Sequence, residues 1–237
     1  MFTGIISSIA VIQNIEDHDG IRTFDIEFEQ GFCIDLDIGA SIAVDGVCLT
    51  VTKQQSPTRV SFDVMLPSIR ITTLGNCNAG TKVNVERAAK DGAEIGGHPL
   101  SGHIDDKTKV AEIEAIDDNY RLRLELPPSL KPYIFQKGYI AINGASLTVS
   151  EVDKSSNWFE VWLIPETRRQ TTFEEKDIGD YVNIEIERGT QVVVDTIRNT
   201  LNDALGPLLP EFEHYLNTKN TGIDSLTGET VKHLSKK

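Results

Sequence analysis

The chain is written twice. Ile42-Ala-Val-Asp-Gly-Val-Cys-Leu-Thr-Val51 recurs as Ile140-Ala-Ile-Asn-Gly-Ala-Ser-Leu-Thr-Val149, offset by 98. Phe2-Thr-Gly-Ile-Ile6 returns as Leu100-Ser-Gly-His-Ile104 at the same offset, and Val83-Asn-Val-Glu86 as Val182-Asn-Ile-Glu185 at an offset of 99. Three blocks in one order at a nearly constant offset mark two copies of one module. Two copies imply two similar pockets, which suits a reaction that holds two molecules of one compound face to face. A length of 237 residues leaves room for two domains of about 100 residues each.

Within each copy the pattern is that of strands. Ile5, Ile6, Ile9, Val11 and Ile12 are β-branched and closely spaced, and Phe24-Asp-Ile-Glu-Phe28 alternates apolar and polar, as a half-buried strand does. Asp45-Gly46 is a hairpin signal between two short strands, and Asn143-Gly144 sits at the matching place. Arg59–Met65, Lys82–Glu86, Tyr120–Leu126, Trp158–Leu163 and Tyr181–Ile186 read as further strands. Roughly six short strands per copy, with turns between them, predict a closed or nearly closed β barrel. Helical signal is weak before residue 190. Val194, Ile197, Leu201, Ala204 and Leu205 then fall mostly three and four apart, and Gly206-Pro207 and Pro210 end the helix. This stripe either packs on its own barrel or forms a subunit interface; periodicity leaves both open. Residues 218–237 are polar and aperiodic, and a mobile tail is expected there.

Composition excludes more than it identifies. A net charge of −13 argues against a nucleic-acid partner, which wants a basic face. The three cysteines, Cys33, Cys48 and Cys77, form neither a metal spacing nor a disulfide framework, which points to a reducing compartment. No apolar run approaches the roughly 18 residues of a membrane span, and Met1-Phe-Thr-Gly4 lacks the charged start of a signal peptide. A cytoplasmic enzyme or binding protein is expected.

Cys48 is the foremost candidate for chemistry. It follows the Asp45-Gly46 turn, where a side chain can face a pocket mouth, and its counterpart is Ser146. The alternative is a small buried core residue, as most free cysteines are. His98 and His103 flank the boundary between copies in Gly96-Gly-His-Pro-Leu-Ser-Gly-His103. No third ligand with metal spacing accompanies them, so an acid/base group or a hydrogen-bonded core histidine is expected. Neither Phe2-Thr-Gly4 nor Leu100-Ser-Gly102 has the glycine pattern of a dinucleotide or phosphate loop. Ser68 and Thr167 close the fourth strand of each copy, where hydroxyls suit a polyol chain or a turn cap.

Together these motifs resemble the riboflavin synthases of the alpha, lumazine-dismutating type. The resemblance rests on Met1–Gly4, Ser41–Val51, Gly96–His103, Lys137–Val149, Leu163–Thr167 and Val182–Ile186, and it runs in family order to about residue 205. It implies an all-β fold of two tandem six-stranded Greek-key barrels with a C-terminal α-helix. The parts expected are a first barrel at 1–97, a second at 98–187, an oligomerisation helix at 188–218 and a tail at 219–237. It implies a homotrimer built through the helix, an association with lumazine synthase, no metal or other cofactor, and no nucleic-acid or membrane partner. The implied reaction converts two 6,7-dimethyl-8-ribityllumazine into riboflavin and 5-amino-6-(D-ribitylamino)uracil.

The same resemblance assigns roles by position. Ser41, Cys48 and His103 take catalytic roles, Cys48 near the carbon that accepts a nucleophile and His103 in proton transfer. Gly4, Ile5 and Ile6, with Gly102, His103 and Ile104, make pteridine-edge contacts. Cys48, Leu49 and Thr50 line one pocket; Ser146, Leu147 and Thr148 line the other. Asp63, Val64, Met65, Leu66, Pro67 and Ser68 cradle one ribityl chain, and Trp162, Leu163, Ile164, Pro165, Glu166 and Thr167 the other. Lys137 and Glu187 complete the set. Pro67-Ser-Ile69 stands where the family has Glu-Thr-Leu, and Glu187 and Asn143 stand where Asp is common. The extra methylene of Glu187 puts its role in question. A non-catalytic lumazine- or flavin-binding antenna protein of the same fold is the rival reading. Such relatives lose the pocket motif in one half, whereas both halves keep it here.

Overall fold

A computed structural model describes residues 1–210; the expected tail at 219–237, and the end of the helix expected at 188–218, lie outside the described residues. Two compact units divide the chain, Met1–Gln191 and Val192 onward. The first unit contains both barrels.

The first barrel comprises β1 (Ser8–His18), β2 (Ile21–Glu27), β3 (Ser41–Val44), β4 (Val47–Gln54), β5 (Arg59–Met65) and β6 (Lys82–Arg87). They close in the antiparallel order β1-β2-β5-β4-β3-β6. The second comprises β7 (Asp106–Ile116), β8 (Asn119–Glu125), β9 (Tyr139–Ile142), β10 (Ala145–Asp153), β11 (Trp158–Leu163) and β12 (Tyr181–Ile186). It closes in the same order, β7-β8-β11-β10-β9-β12. Bulges recur at matching points, after Ile12 and Val51 in one barrel and after Val110 and Val149 in the other. A bulge bends a strand and strengthens its twist, as closing a six-stranded barrel requires.

Alternation fills each barrel from inside. Phe24, Ile26, Phe62, Val83 and Val85 pack in the first core, and Leu122, Leu124, Phe159, Val182 and Ile184 in the second. The stretches at Ser68 and Thr167 depart from expectation. The strands before them are the fifth of each barrel, and short helices begin there: α1 (Leu66–Ile71) and α2 (Pro165–Gln170). Each has Pro in its first turn, where the missing N–H costs nothing. The terminal helix α3 (Arg188–Leu205) ends at Gly206-Pro207 as expected, and none of its side chains is buried.

The barrels meet through reciprocal contacts. Asp45-Gly46 and Asn143-Gly144 have positive φ at both residues, 44° and 81° in one turn, 43° and 81° in the other. That is the twist of a two-residue hairpin. The turns abut so closely that a Cβ on Gly46 would stand 2.7 Å from the Gly144 amide nitrogen. Around them lies a buried polar knot. The Asn183 side chain donates to the Asp45 carbonyl (2.8 Å) and to Thr73 Oγ1 (2.8 Å), and accepts from the Thr73 N–H (2.8 Å). Asn84 donates to the Asn143 carbonyl (3.1 Å) and accepts from the Thr172 N–H (2.8 Å). Each asparagine thus ties its own barrel to the other's.

Candidate active site

Each barrel's hairpin is crossed by a leading segment from the other copy. The Ser146 N–H, on β10, donates to the Gly4 carbonyl at 2.8 Å, and the Cys48 N–H, on β4, donates to the Gly102 carbonyl at 2.8 Å. The approach demands glycine. Gly4 has φ +77°, and a Cβ there would stand 2.5 Å from Ser146 Cβ; Gly102 has φ +79° and would meet Cys48 Cβ at 2.6 Å. Ile6 joins the core of the second barrel and Ile104 that of the first. The repeat alone groups Gly4–Ile6 with residues 1–97, yet they border the second barrel's cleft, and Gly102–Ile104 border the first's. Phe2 and Leu100 pair between the two segments, N–H to carbonyl at 2.8 and 3.0 Å.

What fixes these segments is a pair of carboxylates. Glu86 accepts from the Thr3 N–H (2.5 Å), the Thr3 hydroxyl (2.7 Å) and the Gly4 N–H (3.0 Å). Glu185 accepts from the Ser101 N–H (2.7 Å), the Ser101 hydroxyl (2.7 Å) and the Gly102 N–H (3.0 Å). Burial pushes the Glu86 carboxyl up from its ordinary value, against the pull of these donors. Both residues end a repeated block, so the signal was visible in the sequence without a role attached.

In the second barrel the expected residues converge. Gly4, Ile5, Ile6, Ser146, Ile164, Glu166 and Thr167 border a cavity of about 370 Å³, joined by Gln170 and Thr171 from the end of α2. Trp162 and Thr148 are exposed on the strands beside it. Leu147 and Leu163 point into the barrel core, so only their backbone can meet a ligand. Lys137 is exposed at the turn into β9 with φ +66°, and Pro165 starts α2.

The first barrel repeats the layout with different side chains. Cys48 is half-buried, and Ser41 and Thr50 are cross-strand neighbours on β3 and β4. Leu49 and Val64 belong to the core. Met65, Leu66 and Pro67 are exposed and Ser68 half-buried at the start of α1. Asp63 accepts from the Thr23 hydroxyl at 2.7 Å.

The two histidines part company. His103 is exposed; its N–H donates to Ser101 Oγ at 3.2 Å and its carbonyl accepts from Arg188 at 2.5 Å. His98, which the resemblance leaves without a role, is the buried one. Its Nδ1 lies 2.6 Å from Ser146 Oγ, and its ring stacks on Tyr139 at 5.2 Å. Nε2 is buried with no partner among the described residues. Burial lowers its pKa, opposed by the nearby Glu187 charge, which favours the neutral imidazole beside the cleft hydroxyl; its tautomer sets which of the two donates. Glu187 accepts from the Gly189 N–H (2.8 Å) and the Thr190 N–H (2.6 Å), in the first turn of α3. Burial alone would raise its carboxyl; the bonds from Thr190 and Gly189 outweigh it and hold the group below its ordinary range. Glu187 therefore caps the helix, where a negative charge is favoured.

Residues 3–88 and 101–187 each match the family described as the lumazine binding domain. The class is thus a tandem lumazine-binding-domain protein, one domain per half. The chain is 45% identical over 202 residues to riboflavin synthase of Escherichia coli (strain K12), covering 85% of this chain and 93% of the relative. It is 42% identical over 209 residues to riboflavin synthase of Buchnera aphidicola subsp. Schizaphis graminum (strain Sg), covering 88% and 99%. Among solved structures, LumP complexed with riboflavin superposes with a TM-score of 0.73 at 26% identity, covering 79% of this chain and all of that one. LumP complexed with 6,7-dimethyl-8-(1'-D-ribityl) lumazine superposes with a TM-score of 0.71 at 25% identity, covering 79% and 99%. The chain belongs to the riboflavin synthase family and is an enzyme of riboflavin biosynthesis.

Proposed function

We propose that this enzyme dismutates two molecules of 6,7-dimethyl-8-ribityllumazine. One gives up a four-carbon unit to the other, yielding riboflavin and 5-amino-6-(D-ribitylamino)uracil. The observation that carries the reading is the duplicated cleft: Cys48 and Ser146 occupy the same backbone setting, each against a glycine carbonyl at 2.8 Å. Beside each, the N–H and carbonyl of Ile6 or of Ile104 make no backbone hydrogen bond among the described residues, which leaves an amide edge open to a heterocycle. Like clefts for like ligands let the protein act by orientation, worth roughly 7–11 kcal/mol in ideal cases. His98 and Ser146 present an imidazole and a hydroxyl at one cleft, and Cys48 a thiol at the other.

On this reading two clefts from neighbouring subunits of a homotrimer face each other, first barrel to second. The reading also includes a cytoplasmic setting and association with lumazine synthase. No described helix is long and apolar enough to cross a membrane. The test is incubation with 6,7-dimethyl-8-ribityllumazine, with no added metal or nicotinamide, while riboflavin absorbance is followed. Activity abolished by EDTA and restored by a divalent ion would overturn the cofactor-free mechanism. The likeness to LumP favours a second reading, an antenna that holds one chromophore. Visible absorbance as purified, with no turnover, would establish it instead.

A further inference from the structure

We infer that Glu86 and Glu185 are positioning residues that act across the seam: the carboxylate of each barrel builds the ligand wall of the other. The inference rests on reading the clefts as lumazine and flavin sites. On β6, Val83 and Val85 pack into the first core while Glu86 turns outward to the seam; on β12, Val182 and Ile184 pack inward while Glu185 turns outward. Both are almost fully buried, at 4% and 1% exposure. Among the described residues no lysine or arginine lies within 4.0 Å of Glu86, which feels the Met1 ammonium only weakly, and Glu185 has only Arg188 at that limit. A buried carboxylate without a close cation is costly, and apolar packing would serve stability as well. Its distinct capacity is to accept several hydrogen bonds at once.

Each carboxylate uses that capacity three times. Two oxygens take two consecutive N–H groups and one hydroxyl, which bends the chain to φ +77° at Gly4 and +79° at Gly102. The bend aims the glycine carbonyl at the opposite hairpin and leaves the Ile6 or Ile104 amide edge free beside the cleft. An amide side chain would set its own NH₂ against one of these donors. Glu86 thus shapes the cleft of Ser146, and Glu185 the cleft of Cys48.

The test reads each cleft separately, in the full-length protein with riboflavin as the probe. Protection of Cys48 from alkylation, followed by peptide mass spectrometry, reports the first cleft. The same measurement in a Cys48→Ser, Ser146→Cys background reports the second. Glu86→Gln should shift the riboflavin midpoint at position 146 by about tenfold and leave that at Cys48 within about twofold; Glu185→Gln should do the reverse. Should either variant fail to fold, Thr3→Val and Ser101→Ala each remove one hydroxyl donor and should give the same crossed pattern, at about threefold. Shifts in a variant's own barrel, equal shifts in both, or no shift would overturn the crossing while the binding reading stands. A parent chain unprotected by riboflavin at both positions would overturn the binding reading, and the inference with it.

Discussion

At equivalent points of two hairpins the chain places a thiol and a hydroxyl, and donor and acceptor lumazines need not want the same group. Cys48→Ser makes the two clefts alike at this position. A thiol is larger and ionises more readily than a hydroxyl, so the change should slow turnover more than it weakens ligand binding, a loss confined to the transition state. Ser146→Cys should mainly alter binding, since the larger sulfur must fit the cavity that Ser146 borders. Equal effects of both changes on turnover, measured beside ligand titrations, would reduce Cys48 to a space-filling role. The Asp45/Asn143 pair has a different consequence. Burial pushes Asp45 up to about 6 from its ordinary 3.8. The folded protein therefore holds this proton more tightly than the unfolded chain. The resulting stability is fully present below about pH 4 and lost as pH rises to about 6, on the order of 3 kcal/mol. Asp45→Asn carries no such loss. Its melting temperature should exceed that of the parent at pH 8, with the advantage gone near pH 4; a gap that does not change with pH would show that Asp45 does not titrate in this range.

Among elements, hairpins and barrels were legible and the small helices were not. Strict alternation, β-branched residues and the Asp45-Gly46 and Asn143-Gly144 turns sufficed to mark the strands. The six residues of α1 and of α2 bury no side chain, so no apolar period announces them, and their starting prolines read as strand ends. The clefts were half legible. A repeat shows which residues are equivalent, not which barrel each will face, and the crossing of Gly4–Ile6 and Gly102–Ile104 depends on partners such as Glu86, 83 residues from Thr3. His98 reads in the sequence as an acid/base group or a hydrogen-bonded core histidine, but its place at the second cleft does not, because its partner, Ser146, lies 48 residues away. The two hairpin turns meet backbone to backbone. Gly46→Ala adds a Cβ 2.7 Å from backbone that cannot yield, at φ +81°. Gly80→Ala meets φ +91° but open space. The second should cost about 1–2 kcal/mol from backbone strain alone, and the first several kcal/mol, because the seam must open. Urea denaturation of the two variants decides; equal losses would show that the seam is compliant.

At the scale of the whole molecule, the terminal helix is the element expected to carry assembly. Ile197, Leu201 and Leu205 on α3 are each more than half exposed, an unusual density of apolar surface for a helix. Removing residues 190–237 should convert a trimer to a monomer that still binds riboflavin in the first cleft but turns over poorly; a truncated chain that stays trimeric by light scattering would refute this. The exchanged isoleucines carry a last consequence, one of time rather than space. Chains are made from the N-terminus, and early domains commonly fold first. Here the first barrel's six strands are complete at Arg87, yet the side chain that plugs its core, Ile104, is synthesised later. Ile6, made well before the second barrel, enters a core whose last strand ends at Ile186. Nascent chains arrested with residue 95 just outside the ribosome should therefore yield to protease far more readily than chains arrested some 15 residues later, and Met1–Ser7, made before either barrel, should be the last segment to find its place.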